Sequence, residues 1–256
     1  MAETYQRILE RVSQNQVYPG VETIITRVLH WIGVASPPLT ITELREAISL
    51  HEDMDYIDLD DIVYESEILR LCSSLIRKSH DGLRYEFAHF TVPEYLSSID
   101  PNSSIGHYRF SETSASLSLA TLSVRYLSLK QFNRLNQFNE EESSGMAERR
   151  ENHCFYRYAS CNWFVLVDDY VTDQRLAKLV MSFFGSSLRG CFATWVIELV
   201  ADSFYPHEEM PNQELLDLMK AVLKPGLSSL HLTAALGRWD ICKLLIKQGA
   251  EVNQRR

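Results

Sequence analysis

A chain of 256 residues, 45% of them hydrophobic, can bury a sizeable core and hold one to three domains. Its net charge is −9, and its five cysteines (Cys72, Cys154, Cys161, Cys191 and Cys242) stand singly with no C-x-x-C pair, which excludes a disulfide framework and a zinc knuckle and indicates a reducing compartment. The opening MAETYQRILERV is charged and lacks an apolar core, so it is no signal peptide. The most apolar run, Cys191 to Ala201, is too short for a bilayer and carries Glu198. The expectation is a soluble, cytoplasmic protein with no membrane partner.

In chain order, residues 1–16 read as one charged helix and 17–100 as an α-rich unit with one hairpin. Val21 to Ala35 places Val21, Ile24, Val28, Leu29 and Ile32 on one face, and Pro37-Pro38 halts that helix. Thr40 or Thr42 can cap a second helix through Leu44, Ala47, Ile48 and Leu50. Ile62 to Ile76 gives a third through Ile62, Ile68, Leu69, Cys72 and Leu75. Asp81-Gly82 then marks a turn between two short strands. Three helices followed by a β-hairpin is the order of a winged helix.

Residues 101–225 are helical by pattern. Ser111–Leu129, Thr172–Phe184, Leu188–Phe204 and PNQELLDLMKAVLK (211–224) each carry an apolar face. The polar, aperiodic stretch 136–152 reads as a mobile loop. The aromatics of FYRYASCNWF (155–164) read as core anchors. In GLSSLHLTAALGRWDICKLLIKQGAEVN (226–253), Leu230, Ala234, Ile241, Leu244 and Leu245 fall on one side of a helix pair. Gly237 and Gly249 stand where left-handed residues end helices.

That last stretch resembles one ankyrin repeat, whose signature is T-P-L-H-x-A. Ser229 stands where the family has proline, and Thr233 where it has alanine. The resemblance implies structural roles for Leu230, His231, Ala234, Gly237, Leu244, Leu245 and Gly249, with His231 tying the turn to the first helix. Arg238 and Trp239, in the inter-helix turn, are the candidate partner-binding residues. Only Gln254, Arg255 and Arg256 follow, and a single repeat cannot bury its own apolar face. Residues 226–256 are therefore expected to dock on earlier helices, with 211–224 as the dock, or to belong to something longer.

The segments HWIGVASPPLTITELREAISL, LDDIVYESEILRLCSSLIRKS and YEFAHFTVPEYLSS resemble the winged helix of fungal NACHT–ankyrin proteins. These are NOD-like receptors of the STAND class, and the domain is of the type labelled GPI inositol-deacylase winged helix. The resemblance implies a mainly α fold. It comprises a remnant of the last NTPase helix (1–16), a winged helix with a small β-hairpin wing (17–100), a helical bundle or array (101–225) and one incomplete ankyrin array (226–256).

Chemistry is harder to find. No G-x-x-x-x-G-K-[ST] occurs, so the phosphate cradle of an NTPase is missing. FGSSLRG (184–190) has the wrong spacing for a G-x-S-x-G nucleophile elbow. The acidic run 51–67 holds eight acidic residues and no basic one, but lacks the glycine and spacing of a calcium loop. It reads instead as a solvated loop in which Asp58, Asp60 or Asp61 caps the third helix. In related receptors a winged-helix histidine can contact nucleotide, which makes His89 the one cofactor candidate, and only with an NTPase module supplied in trans. No metal site, cofactor or nucleophile–base pair is expected, and the chain is not expected to be an enzyme.

The leading expectation is thus a non-catalytic protein–protein interaction module, acting as scaffold, sensor fragment or modulator. Its partners would be proteins of unknown identity, with pairing to full-length NACHT–ankyrin relatives as one option. The alternative is a winged-helix DNA-binding protein. Residues 17–100 hold six Lys/Arg against fifteen Asp/Glu, and that balance disfavours nucleic acid.

Overall fold

Local sequence signals set the element boundaries in the computed structural model, which describes residues 2–14, 20–51, 54–133, 143–167, 173–205, 211, 213–214, 217, 220 and 228–250. Among them are twelve α-helices and one two-stranded antiparallel sheet. The fold is mainly helical, as the patterns required. It divides into two units, one of residues 1–51 and 58–119, the other of 52–57 and 120–256. No helix among the described residues is long and apolar enough to cross a membrane.

The first unit opens with α1 (Ala2–Gln14) and α2 (Val21–Val34), whose buried stripe is Val21, Ile24, Ile25, Val28, Leu29 and Trp31. Thr40 caps α3 (Ile41–Ile48) with a complete capping box. Its hydroxyl accepts from the Glu43 N–H at 3.3 Å, and the Glu43 carboxylate accepts from the Thr40 N–H at 2.7 Å. Arg27 on α2 donates to the Ile48 and Leu50 carbonyls, satisfying acceptors that the end of α3 leaves open.

The third helix of the winged-helix order is shorter than its apolar spacing suggests. α4 spans Glu65–Cys72, not 62–76. Asp58 caps a 3-10 turn, Leu59–Asp61, by accepting from the Asp60 N–H, so it does not cap α4. Val63 is pinned outside the helix, because its N–H donates to the Ser49 hydroxyl at 2.8 Å and its carbonyl accepts from Arg45 at 2.7 Å. At the other end, Ile76 is taken by a strand. β1 (Ile76–Lys78) pairs with β2 (Tyr85–Phe87) in the register Ile76 to Phe87, and Thr40 forms a bridge to Arg84 beside them. The wing turns at Gly82, φ 71°, a left-handed geometry that glycine adopts without cost. Asp81 braces this turn by accepting from the Ser79 hydroxyl and the Leu83 N–H, and these bonds hold its carboxyl below the usual range.

α5 (Thr91–Ser98) follows the wing. A segment containing buried Tyr108 then leads to α6 (Glu112–Leu127). This segment is fastened to α2 through His30, whose Nε2 lies 3.3 Å from the Tyr108 carbonyl and whose ring meets Phe110 edge-on.

In the second unit, α8 (Phe155–Asn162), α9 (Gln174–Phe183) and α10 (Arg189–Phe204) enclose an aromatic core. Trp163, Phe183, Phe184, Phe192 and Trp195 pack ring to ring, Trp163 and Trp195 at 5.7 Å, and the Trp195 indole N–H donates to the Ser160 carbonyl. Asn133 caps α10 from outside the helix, its side-chain oxygen accepting from the Gly190 N–H at 3.0 Å. The stretch 54–57 is held by turn 130–132 through the Lys130–Asp55 pair and the Ile57 N–H to the Gln131 side chain. α11 (Ser229–Ala235) and α12 (Trp239–Lys247) form the closing helical hairpin.

A further expectation is corrected. Residues 143–152, read as part of a mobile loop, form α7 (Ser143–Asn152). Among its described side chains only Met146 is buried, so no apolar stripe announces the helix. Charge holds it instead. Arg149 and Arg150 reach the fully buried Glu198 of α10 at 3.3 and 2.7 Å, and the Arg149 guanidinium lies 4.9 Å from the centroid of the Tyr156 ring. Residues 136–142 and nearly all of the proposed dock at 211–224 lie outside the described residues.

Two outcomes follow from these buried ionisable groups. Glu198→Ala should lower unfolding stability by about 2–3 kcal/mol and reduce helical ellipticity, measured by denaturant titration. Breaking a buried pair costs roughly 3–5 kcal/mol, and here the two arginines can turn partly to water. Burial lowers the His30 pKa, an effect the Tyr108 and Arg109 carbonyls oppose, so the fold favours the neutral ring. The unfolded chain then takes up the proton first. Stability is full above about pH 6.5 and falls as pH drops below it. His30→Gln keeps a donor but not the titration, and should lose less stability than wild type between about pH 7.5 and about pH 5.

Candidate functional site

The hairpin of α11 and α12 gathers most of the candidate residues. Ser228 caps α11, its hydroxyl accepting from the His231 N–H at 3.3 Å and meeting His231 Nδ1 at 2.7 Å. His231 is thereby bonded across the first turn of the hairpin. Thr233 is 1% exposed, and its hydroxyl donates back to the Ser229 carbonyl at 2.9 Å and lies 3.3 Å from Cys242 Sγ. A polar residue is tolerated between the two helices because its one hydroxyl is fully used.

Gly237, φ 70°, and Gly249, φ 92°, lie just past the two helix ends in the left-handed region. The buried side of the hairpin is Thr233, Ile241, Cys242 and Leu245. That corrects the expected face in part: Leu230 and Leu244 are half-buried and Ala234 is exposed. A hairpin has two flanks, and helical spacing does not reveal which flank its neighbours cover.

Arg238 and Trp239, neighbours in sequence, have opposite situations. Arg238 is not an open surface residue. Its guanidinium donates to the Val167 carbonyl at 2.8 Å and to the Asp240 carboxylate at 2.9 Å, with only 17% of the side chain exposed. It anchors the hairpin to the segment after α8. Trp239 is 70% exposed, whereas Trp31, Trp163 and Trp195 are fully buried. Ile246, which spacing alone did not single out, is 46% exposed two turns further along α12.

The winged helix presents a second surface. Arg70 on α4 pairs with Glu67, Arg77 with Glu86, Lys78 with Glu65 and Arg84 with Asp81. Each cation of α4 and the wing therefore has a carboxylate within its own domain. His89 is exposed and sits at the start of α5. Its Nδ1 accepts from the Thr91 N–H at 3.2 Å, and its ring packs on exposed Phe90 at 4.3 Å. Thr91 in turn bonds the Tyr5 hydroxyl of α1. The histidine thus braces the start of the helix after the wing.

Reactive groups are muted. Burial pushes the Cys72 and Cys191 thiols up to about 12, and the Cys161 thiol upward as well, with the Asp202 carboxylate adding to it. Among the described residues, no group of three or more His, Cys, Asp or Glu is placed to hold a metal ion.

Arg238→Ala should destabilise the hairpin by about 1.5–3 kcal/mol, the range for hydrogen bonds to charged groups. Hydrogen exchange should rise over 229–247 while α8 and α10 stay protected. Arg238→Lys should rescue only in part, since Nη2 makes both bonds and a lysine keeps the charge and the donors but holds them on a shorter, more strongly hydrated ammonium.

Residues 14–106 match the family model described as GPI inositol-deacylase, winged helix domain. Neither the curated proteins nor the solved structures contain a match to the chain. The three helices and hairpin of the first unit fit that description, and a winged-helix domain is present in this chain.

Proposed function

We propose that this chain is a non-catalytic protein–protein interaction module, a relative of STAND/NOD-like receptors that acts as scaffold, sensor fragment or modulator. The observation that carries this reading is the hairpin of α11 and α12, read as an ankyrin repeat. Arg238 fastens it to the fold, while Trp239 stands 70% exposed at the start of α12. Tryptophan is enriched among interface hot spots. The partner would be a protein, and full-length NACHT–ankyrin relatives are one class to test.

Two further observations support a role without chemistry and without nucleic acid. The elevated thiol pKa values leave Cys72, Cys161 and Cys191 protonated at neutral pH, which makes them poor nucleophiles. The paired cations of α4 and the wing leave no surplus positive charge there for DNA phosphates.

Affinity capture with the purified chain as bait tests the reading. A specific partner should be retained by wild type and weakened about 30-fold by Trp239→Ala, the equivalent of roughly 2 kcal/mol. Retention that is indifferent to Trp239, or a folded bait that retains nothing, would remove the reading's support.

A further inference from the structure

The exposed flank of α12 is both apolar and basic. Trp239, Lys243, Ile246 and Lys247 follow one another at helical spacing, and all four are exposed. Trp239 and Ile246 are 70% and 46% exposed, and among the described residues neither lysine makes an ion pair. Asp240, the only carboxylate of the helix, is already taken by Arg238.

The first unit carries the complementary surface. Over residues 58–64, Asp58, Asp60 and Asp61 are exposed, with Leu59 at 48% and Tyr64 at 70%. Among the described residues no cation pairs with these three carboxylates, although Arg70, Arg77, Lys78 and Arg84 all find partners elsewhere in the domain. The short turn is preformed, because Asp58 caps it, so little ordering would be lost on docking.

We propose that the flank of α12 docks the 58–64 segment of a second copy of this chain. The inference rests on the interaction-module reading and supplies its partner. Trp239 and Ile246 would cover Leu59 and Tyr64, while Lys243 and Lys247 meet Asp60 and Asp61. Both surfaces are open in each chain, so the contact joins two different patches. A docked pair still offers one free patch of each kind, and the assembly grows head to tail into rings or filaments. The contact is small and rimmed by charge, which sets a weak, salt-sensitive association.

Sedimentation velocity of the full chain tests this directly. The weight-average mass should rise between about 10 and about 300 μM at low salt, and the rise should be suppressed by roughly tenfold higher salt. Acrylamide quenching gives a second readout, because Trp239 is the exposed tryptophan of the four and should become shielded as mass rises.

The double variants Lys243→Glu/Lys247→Glu and Asp60→Lys/Asp61→Lys should each associate at least about tenfold more weakly. An equimolar mixture of the two restores opposite charges at both contacts and should regain association. All four positions are exposed, so the variants should keep wild-type ellipticity. A wild type that stays monomeric throughout, or a mixture of folded variants that fails to associate, overturns the proposal. A monomeric chain that still captures another protein through Trp239 overturns self-docking but leaves the interaction-module reading intact.

Discussion

A carboxylate cannot be buried alone, and Glu198 is buried completely in α10, a helix with no other exposed or charged position from Gly190 to Leu199. It must be met by positive charge from somewhere nearby. Arg149 and Arg150 meet it, and their helix is held in place by doing so. The dependence runs both ways. α7 has one buried apolar side chain among those described and could not be held by that contact alone, while α10 could not keep a naked carboxylate inside the aromatic core. One ion-pair cluster therefore explains why a polar decapeptide is helical and why the central helix tolerates a charge.

This also marks where sequence reasoning succeeds and where it stops. Amphipathic spacing found α2, α6 and α9 because burying one stripe is a property of the helix itself, while α10, buried on every side from Gly190 to Leu199, was marked by its apolar run. A threonine cap at 40 or 42 and the Asp81-Gly82 turn were legible because their partners lie within three residues, and the structure puts the cap at Thr40. α7 was missed because its partner lies 48 and 49 residues away in sequence, where no periodicity can reveal it. The start of α4 was misjudged for the same reason. Val63 is held by Ser49 and Arg45, and a local apolar count includes Ile62 without seeing those bonds.

The candidate site follows the same rule. Caps and helix-ending glycines in the final hairpin are local signals and could be read directly. The difference between Arg238 and Trp239 could not, since it depends on the Val167 carbonyl, 71 residues away. An arginine in a turn looks like surface until its acceptor is known. Trp239 could be recognised as a candidate by residue type, but only its exposure separates it from the three tryptophans that fill the core.

The winged helix raises the last question, which is what a surface with matched charges is suited for. Breaking its pairs would not by itself prevent phosphate binding, because exposed pairs are worth only about 0–1 kcal/mol each. The stronger obstacle is what remains after they break. Arg70, Arg77, Lys78 and Arg84 would turn toward phosphate, but Glu67, Glu86, Glu65 and Asp81 would stay on the same surface and face it too. Counterion release rewards net positive charge, and four cations against four carboxylates provide none. Protein surfaces impose no such demand, because a mixed surface can be matched by a mixed partner. The charge pattern thus leaves the winged helix no net positive surface for phosphate, which is in keeping with the proposed interaction role.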